Sequence, residues 1–198
     1  MRFILASNNK GKLSELRDIL SELDVELVSQ SEAGLQLEAE ETGTSFEENA
    51  SIKAETACLA LNEPAIADDS GLMVEALNGE PGVYSARYGG DSCKSDEERV
   101  SLLLKNMEGV ENRHAKFVSC IACVFPNGDL ITARGECAGN ITTAPRGEGG
   151  FGYDPIFEIS RSSKTMSELS AEEKNAISHR GAALKIFEKK LRAYYADK

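Results

Sequence analysis

The sequence predicts an α/β fold, a mixed central sheet with flanking helices. Three observations carry that prediction. Short apolar runs alternate with helix-period stripes in the first half of the chain, a strand–turn–strand pattern surrounds Pro126-Asn-Gly-Asp129, and an amphipathic stripe closes the sequence. Alternating strands and helices favour parallel pairing, while a short hairpin adds antiparallel pairing, so the sheet should be mixed. No internal repeat, low-complexity tract or long Pro/Ser linker divides the 198 residues, which read as one domain, 1–198.

The first strand is Phe3 to Ala6, followed by the polar turn Ser7-Asn-Asn-Lys-Gly-Lys12. Leu13, Leu16, Ile19, Leu20 and Leu23 then recur at the spacing of one buried helical face, and Val25 to Val28 suits the next strand. Residues 38–44 form an acidic loop. Ser45 with Glu48 makes a capping box that starts a helix running to about Leu61. Pro64 to Ala67 reads as a short strand that ends at Asp68-Asp-Ser-Gly71, and Asn78 to Gly82 as a loop. Ser95 and Glu98 make a second capping box, before Val100, Leu103, Leu104 and Met107. Lys116–Phe125 and Leu130–Cys137 flank the hairpin turn. Arg146 to Asp154 is too glycine-rich for regular structure. A third capping box, Ser170 with Glu173, precedes a last helix with Leu184, Phe187, Leu191 and Tyr194/Tyr195 on one face.

Charge excludes some functions. With 22 Lys+Arg against 33 Asp+Glu, the formal net charge is −11. Such a surface repels phosphate backbones at long range, so no nucleic-acid partner is expected, although one local basic pocket is still permitted. Apolar runs such as Ile121–Phe125 fall far short of the ~20 residues that span a bilayer, so no membrane association is expected. Met1 to Ala6 lacks a signal-peptide pattern, so a cytoplasmic location is expected. Of the five cysteines, Cys120 and Cys123 form a Cys-x-x-Cys inside a predicted strand. Residues three apart on a strand face opposite sides, so buried structural thiols are expected rather than a redox or metal pair.

Five segments hold candidate chemistry. The Ser7–Lys12 turn joins strand to helix and offers hydroxyl, amide and ammonium groups beside a helix N-terminus. Such a turn suits phosphate, yet it is neither a Walker A loop nor a Rossmann fingerprint, and an ordinary polar turn is the equal alternative. Asp68-Asp69 follows a strand, where adjacent side chains diverge: one can face a ligand while the other braces the backbone. A carboxylate there can hold Mg²⁺ or accept a proton from water, and a turn aspartate is the plain alternative. Glu38, Glu40 and Glu41 can complete a hard-cation site or simply form a solvated loop. Phe151-Gly-Tyr-Asp154 can stack a base or anchor the loop. His179-Arg180 can donate to an oxo group or a phosphate, with a structural histidine as the simpler account. From residue types alone these segments describe a Mg²⁺-dependent hydrolase, or a binder, of a nucleotide-like phosphate.

Seven ordered blocks go further. Ser7-x-Asn9-x-x-Lys12, Glu40-Glu-Thr-Gly43, Phe46-x-Glu-Asn-Ala50, Ile66-Ala-Asp-Asp-Ser-Gly71, Pro81-Gly-Val-Tyr-Ser-Ala-Arg87, Gly149-Gly-Phe-Gly-Tyr-Asp-Pro155 and Glu173-Lys-Asn-Ala-Ile-Ser-His-Arg180 span essentially the whole chain. In this order the sequence resembles the inosine/xanthosine triphosphate pyrophosphatases. The resemblance implies an elongated, two-lobed single domain with the active-site cleft between lobes, and a homodimer. It also implies Mg²⁺-dependent hydrolysis of ITP, dITP or XTP to the monophosphate and pyrophosphate.

By position, the resemblance assigns the triphosphate to Ser7, Asn8, Asn9, Lys10, Gly11 and Lys12, with Lys53 facing the phosphates and Ser70 on the substrate. It assigns Mg²⁺ to Asp69 with Glu41 or its neighbour Glu40, and makes Asp69 the general base. Phe151, Gly152, Tyr153 and Asp154 would enclose the base, with Lys174, His179 and Arg180 completing the base and sugar pocket. A triphosphate brings about four negative charges, which an acidic protein must offset with local cations. Rivals from other classes are a non-catalytic nucleotide-binding regulator and a pyrophosphatase for other modified or pyrimidine nucleotides.

Overall fold

The apolar run Phe3-Ile-Leu5 is wholly buried and forms β1 (Arg2–Leu5), as a strand covered on both faces should. The computed structural model describes residues 2–7, 13–14, 16–17, 25–37, 39–160 and 162–196. β1 pairs in parallel with β2 (Glu26–Ser29) and with β3 (Ala65–Val74). β4 (His114–Val124) and β5 (Leu130–Ile141) follow, and the short β6 (Phe157–Ile159) runs antiparallel to β5. The six strands lie in the order β2-β1-β3-β4-β5-β6, a mixed sheet as predicted.

Local chemistry sets the helices. α1 (Phe46–Leu61) starts at the Ser45–Glu48 capping box and stops at Asn62, whose φ of 52° ends the helix in the left-handed region. α2 (Asp96–Asn106) starts at the Ser95–Glu98 box, and α3 (Ala171–Ile177) at the Ser170–Glu173 box. α4 (His179–Ala196) begins directly after Ser178 and buries Leu184, Phe187 and Leu191. Leu13, Ser14, Leu16 and Arg17 are helical, with Leu16 buried. The predicted stripe positions Ile19, Leu20 and Leu23 lie outside the described residues. Between β4 and β5, Phe125 N–H donates to Asp129 O at 3.0 Å and Gly128 turns the chain at φ 88°.

One expectation is corrected. The strand predicted to stop before Asp68 continues through both aspartates to Val74. Adjacent acidic residues normally disfavour a strand, but here each carboxylate has a cationic partner, and tertiary pairing overrides the local preference.

The chain forms two compact units. The first comprises Met1–Asp69, Ser119–Gly135 and Arg180–Lys198, and the second Ser70–Val118 and Glu136–His179. Phe3, Leu5, Leu16, Ile66, Ile121 and Phe187 pack in the core of the first. Leu72, Leu103, Phe117, Ile156 and Phe157 pack in that of the second. All five cysteines are unbridged and buried. Burial pushes the Cys120 thiol up to about 11 and raises Cys123 further still, which suits inert structural thiols. Among the described residues, no helix is long and apolar enough to cross a membrane.

Candidate functional site

In the first unit, successive aspartates on β3 meet different partners, as alternation along a strand requires. Asp69 accepts a hydrogen bond from Lys53 Nζ at 2.9 Å, and the same ammonium donates to Glu41 Oε1 at 3.0 Å. Lys53 stands on α1. Glu41 lies in the loop ahead of α1, and the fully buried Asn49 ties that loop down by accepting from Gly43 N–H at 2.8 Å. A Cβ on Gly43 would come 2.6 Å from Asn49 Oδ1, so only glycine allows this close approach. Burial alone would lower the Lys53 pKa, but the charge and hydrogen bond of Asp69, then the charges of Glu41 and Asp68, hold it above its usual value. Lys53 is therefore a firm cation flanked by carboxylates.

Glu40, left open beside Glu41 as a metal ligand, is exposed, whereas Glu41 is drawn to the lysine that Asp69 shares. Among the described residues no group of three or more His, Cys, Asp or Glu side chains is gathered for a metal. Glu41 and Asp69 supply hard oxygen donors of the kind Mg²⁺ accepts when water and substrate phosphates fill its remaining positions, so the residues present fit that ion.

Asp68, only 1% exposed, turns to the other side. It accepts from Ser119 Oγ at 2.9 Å, and Arg180 Nη2 lies 3.4 Å from its second oxygen. Arg180, assigned to the substrate pocket by resemblance, is itself 1% exposed and held on Asp68. Ser7 is half-buried, and its N–H donates to Leu5 O at 2.9 Å. Asn8, Asn9, Lys10, Gly11 and Lys12 lie outside the described residues, as does Glu38.

The second unit gathers Phe151, Asp154 and Lys174. Lys174 Nζ donates to Asp154 Oδ2 at 2.8 Å and sits 4.6 Å from the centroid of the Phe151 ring. Phe151 N–H donates to the same carboxylate oxygen at 2.9 Å, which fixes the loop under the ring. Gly150 has φ +76°, and a Cβ there would lie 2.1 Å from Asp154 Oδ2. Gly152 N–H donates to Asp96 Oδ2 at the start of α2, and the buried Tyr153 hydroxyl donates to Ser85 O, each at 2.9 Å. Burial raises the Tyr153 pKa, so its hydroxyl keeps the proton it donates. His179 is buried, and its imidazole stacks on Phe117 at 4.8 Å with an interplanar angle of 17°. Ser70 is half-buried on β3.

Sequence reasoning missed the supports: Asn49, Ser85, Asp96, Phe117 and Ser119. Asn49 and Ser85 stand inside the ordered blocks, and a third carries a local signal. Ser119 is a lone hydroxyl within the apolar stretch of β4, a place where a polar group needs a partner.

On this mixed α/β sheet the first unit sets carboxylates around a lysine, and the second sets an aromatic face beside a lysine. The chain belongs to the Ham1 family, whose model matches residues 3–190. It is 48% identical to the dITP/XTP pyrophosphatase of Deinococcus deserti over 181 residues, which are 91% of this chain and 85% of that protein. It is 47% identical to the dITP/XTP pyrophosphatase of Staphylococcus epidermidis over 188 residues, 95% of each. The Staphylococcus aureus Ham1 protein has a similar structure, with a TM-score of 0.89 and 43% identity, covering 98% of this chain and 100% of the other.

Proposed function

We propose that this protein hydrolyses non-standard purine nucleoside triphosphates, dITP, XTP and ITP, to the monophosphate and pyrophosphate, removing them from the nucleotide pool. The similarity to dITP/XTP pyrophosphatases over nearly the whole chain supports the reaction. Lys53 shared between Asp69 and Glu41 is the observation that carries the chemistry.

In this reading Asp69 takes a proton from water as its oxygen bonds to the α-phosphorus and the α–β bridging bond breaks. The released electron pair leaves with pyrophosphate. Lys53, held protonated, opposes the charge on the phosphate oxygens. By resemblance Ser7 to Lys12 grip the triphosphate and Ser70 touches the substrate. Glu41 and Asp69 would hold Mg²⁺, which would supply Lewis-acid charge for the phosphate oxygens.

The base falls to the second group. Phe151 offers a stacking face, and its loop of Gly152, Tyr153 and Asp154 is fixed from behind by Asp96, Ser85 and Lys174. Lys174 and His179 supply donors for the 6-oxo group, with Arg180 at the adjoining helix start. Adenine presents its own donor at position 6, which leaves a buried donor unpaired at a cost of ~1–3 kcal/mol.

The protein acts as a cytoplasmic homodimer, a setting in keeping with its unbridged thiols. Light scattering of the purified protein tests the dimer. Pyrophosphate release from dITP, XTP, ITP, GTP, ATP and pyrimidine triphosphates, with and without Mg²⁺, tests the reaction. Fast release from the first three alone supports it. Binding without release makes the protein a regulator, and preference for a pyrimidine moves it to another pyrophosphatase class.

A further inference from the structure

Phe151 stands between two glycines, and both adopt positive φ, 76° at Gly150 and 61° at Gly152. Neighbours so permissive do little by themselves to hold the ring. Two carboxylates hold it instead. Phe151 N–H donates to Asp154 Oδ2 and Gly152 N–H to Asp96 Oδ2, each at 2.9 Å. These two amides belong to the peptide planes on either side of the Phe151 Cα. A residue has only two soft backbone torsions, so constraining both flanking planes constrains both torsions, and with them the direction of its side chain. Asp96 is well placed for this. It is the first residue of α2, which Val100 and Leu103 fasten into the core that also holds Tyr153. Its other oxygen accepts from Arg99 Nη2 at 2.8 Å, and the positive end of the helix favours a carboxylate there.

We propose that Asp96, which lies outside all seven sequence blocks, is a positioning residue for the nucleobase: by holding the Gly152 amide it sets the direction of the Phe151 ring. The Asp96 side chain is 46% exposed. Without its carboxylate, water satisfies the Gly152 N–H at that place, so the fold loses little, but a water molecule anchors nothing. The peptide between Phe151 and Gly152 then turns, while Asp154 still holds the Phe151 N–H and Lys174. A ring that samples several directions must be ordered when the nucleotide binds, which weakens binding. Stacking serves every base alike, so the loss falls on dITP and dATP in the same proportion. The reacting phosphates keep their own contacts, so the chemical step is spared.

The inference rests on Phe151 stacking the base of the proposed substrate, and the experiment keeps the two apart. Steady-state kinetics with dITP and dATP are measured for the wild type, Asp96→Ala, Asp96→Asn and Phe151→Ala, with thermal melts giving the folded fraction of each. We expect Asp96→Ala to raise KM for dITP about fivefold, with kcat per folded molecule within about twofold. The preference for dITP over dATP, as a ratio of kcat/KM, stays within about twofold of wild type. Asp96→Asn keeps an oxygen acceptor for Gly152 and recovers most of the loss. If Asp96→Ala does not fold, Asp96→Ser replaces it, since serine suits a helix start but its side chain is one bond shorter. A raised KM in that variant supports the role, and an unchanged one overturns it. Wild-type KM in folded Asp96→Ala overturns the proposal, as does a loss confined to kcat, a narrowed preference, or an equal rise in Asp96→Asn. Wild-type KM in Phe151→Ala refutes the stacking reading instead, and a wild-type protein inert toward dITP refutes the reaction.

Discussion

Lys53 and Asp69 meet at 2.9 Å across α1 and β3, and the lysine gives a second hydrogen bond to Glu41. Asp69 thus faces a cation on one side of β3, while Asp68 meets Ser119 and Arg180. Replacing Asp69 by Asn keeps the size of the side chain and an oxygen for Lys53 but removes the proton acceptor. Turnover of dITP by Asp69→Asn should fall ~10²–10⁴-fold, with nucleotide binding still measurable by calorimetry. Turnover near wild type would remove Asp69 from the role of base. Asp68→Asn should differ in kind, since it removes the charge of the buried ion pair with Arg180, and a lowered melting temperature is its expected signature.

Sequence alone left Glu40 and Glu41 equal, and the loop geometry separates them. Asn49 pins Gly43, which brings Glu41 to Lys53 and leaves Glu40 exposed. Glu41→Gln should raise the Mg²⁺ concentration for half-maximal activity at least about tenfold, and Glu40→Gln should leave it unchanged. A Mg²⁺ titration of both variants checks this, and the opposite order would assign the metal to Glu40.

Much of the fold was legible because its signals are local. The Ser45–Glu48, Ser95–Glu98 and Ser170–Glu173 boxes each start a helix within a residue of the predicted place. The hairpin turn at Asn127-Gly128 is equally local. The length of β3 was not legible, because whether Asp68 and Asp69 can sit inside a strand depends on Ser119, Arg180 and Lys53, which come from distant parts of the chain. For the site, charge and motif order marked Asp69, Lys53 and Phe151. The contacts that Asn49, Phe117 and Ser119 make behind them are tertiary facts, which neither a quoted block nor a lone hydroxyl in an apolar strand specifies.

The capping boxes also predict how stability responds to acid. Glu48 accepts from Thr44 N–H, Thr44 Oγ1 and Ser45 N–H, and those bonds hold its carboxyl below its ordinary value of 4.5. A depressed folded pKa contributes stability that is present above the unfolded value and lost as pH falls through the folded one. Below pH 4.5 the wild type should therefore lose stability more steeply than Glu48→Gln, in which the amide keeps a cap acceptor but does not titrate. Urea midpoints measured from pH 6 down to pH 3 should therefore differ at pH 6 and converge in the acid limb. Parallel curves would exclude Glu48 as a contributor.

Gly150 offers the sharpest test of the base loop. Its φ of +76° lies where side chains are strained, and an added Cβ would stand 2.1 Å from Asp154 Oδ2. That oxygen receives both Phe151 N–H and Lys174 Nζ, so it cannot move without releasing the loop and the lysine together. Gly150→Ala should cost about 1–3 kcal/mol from backbone conformation alone. Its distinctive effect is on the substrate side: Lys174 loses its anchor beside the Phe151 ring, so KM for dITP should rise and the preference for dITP over dATP should narrow. Asp154→Asn provides the comparison, because it weakens the same anchor without straining the backbone. A shared loss of selectivity in both variants assigns the effect to the Asp154–Lys174–Phe151 arrangement. A destabilised Gly150→Ala with unchanged selectivity would confine the glycine to a folding role.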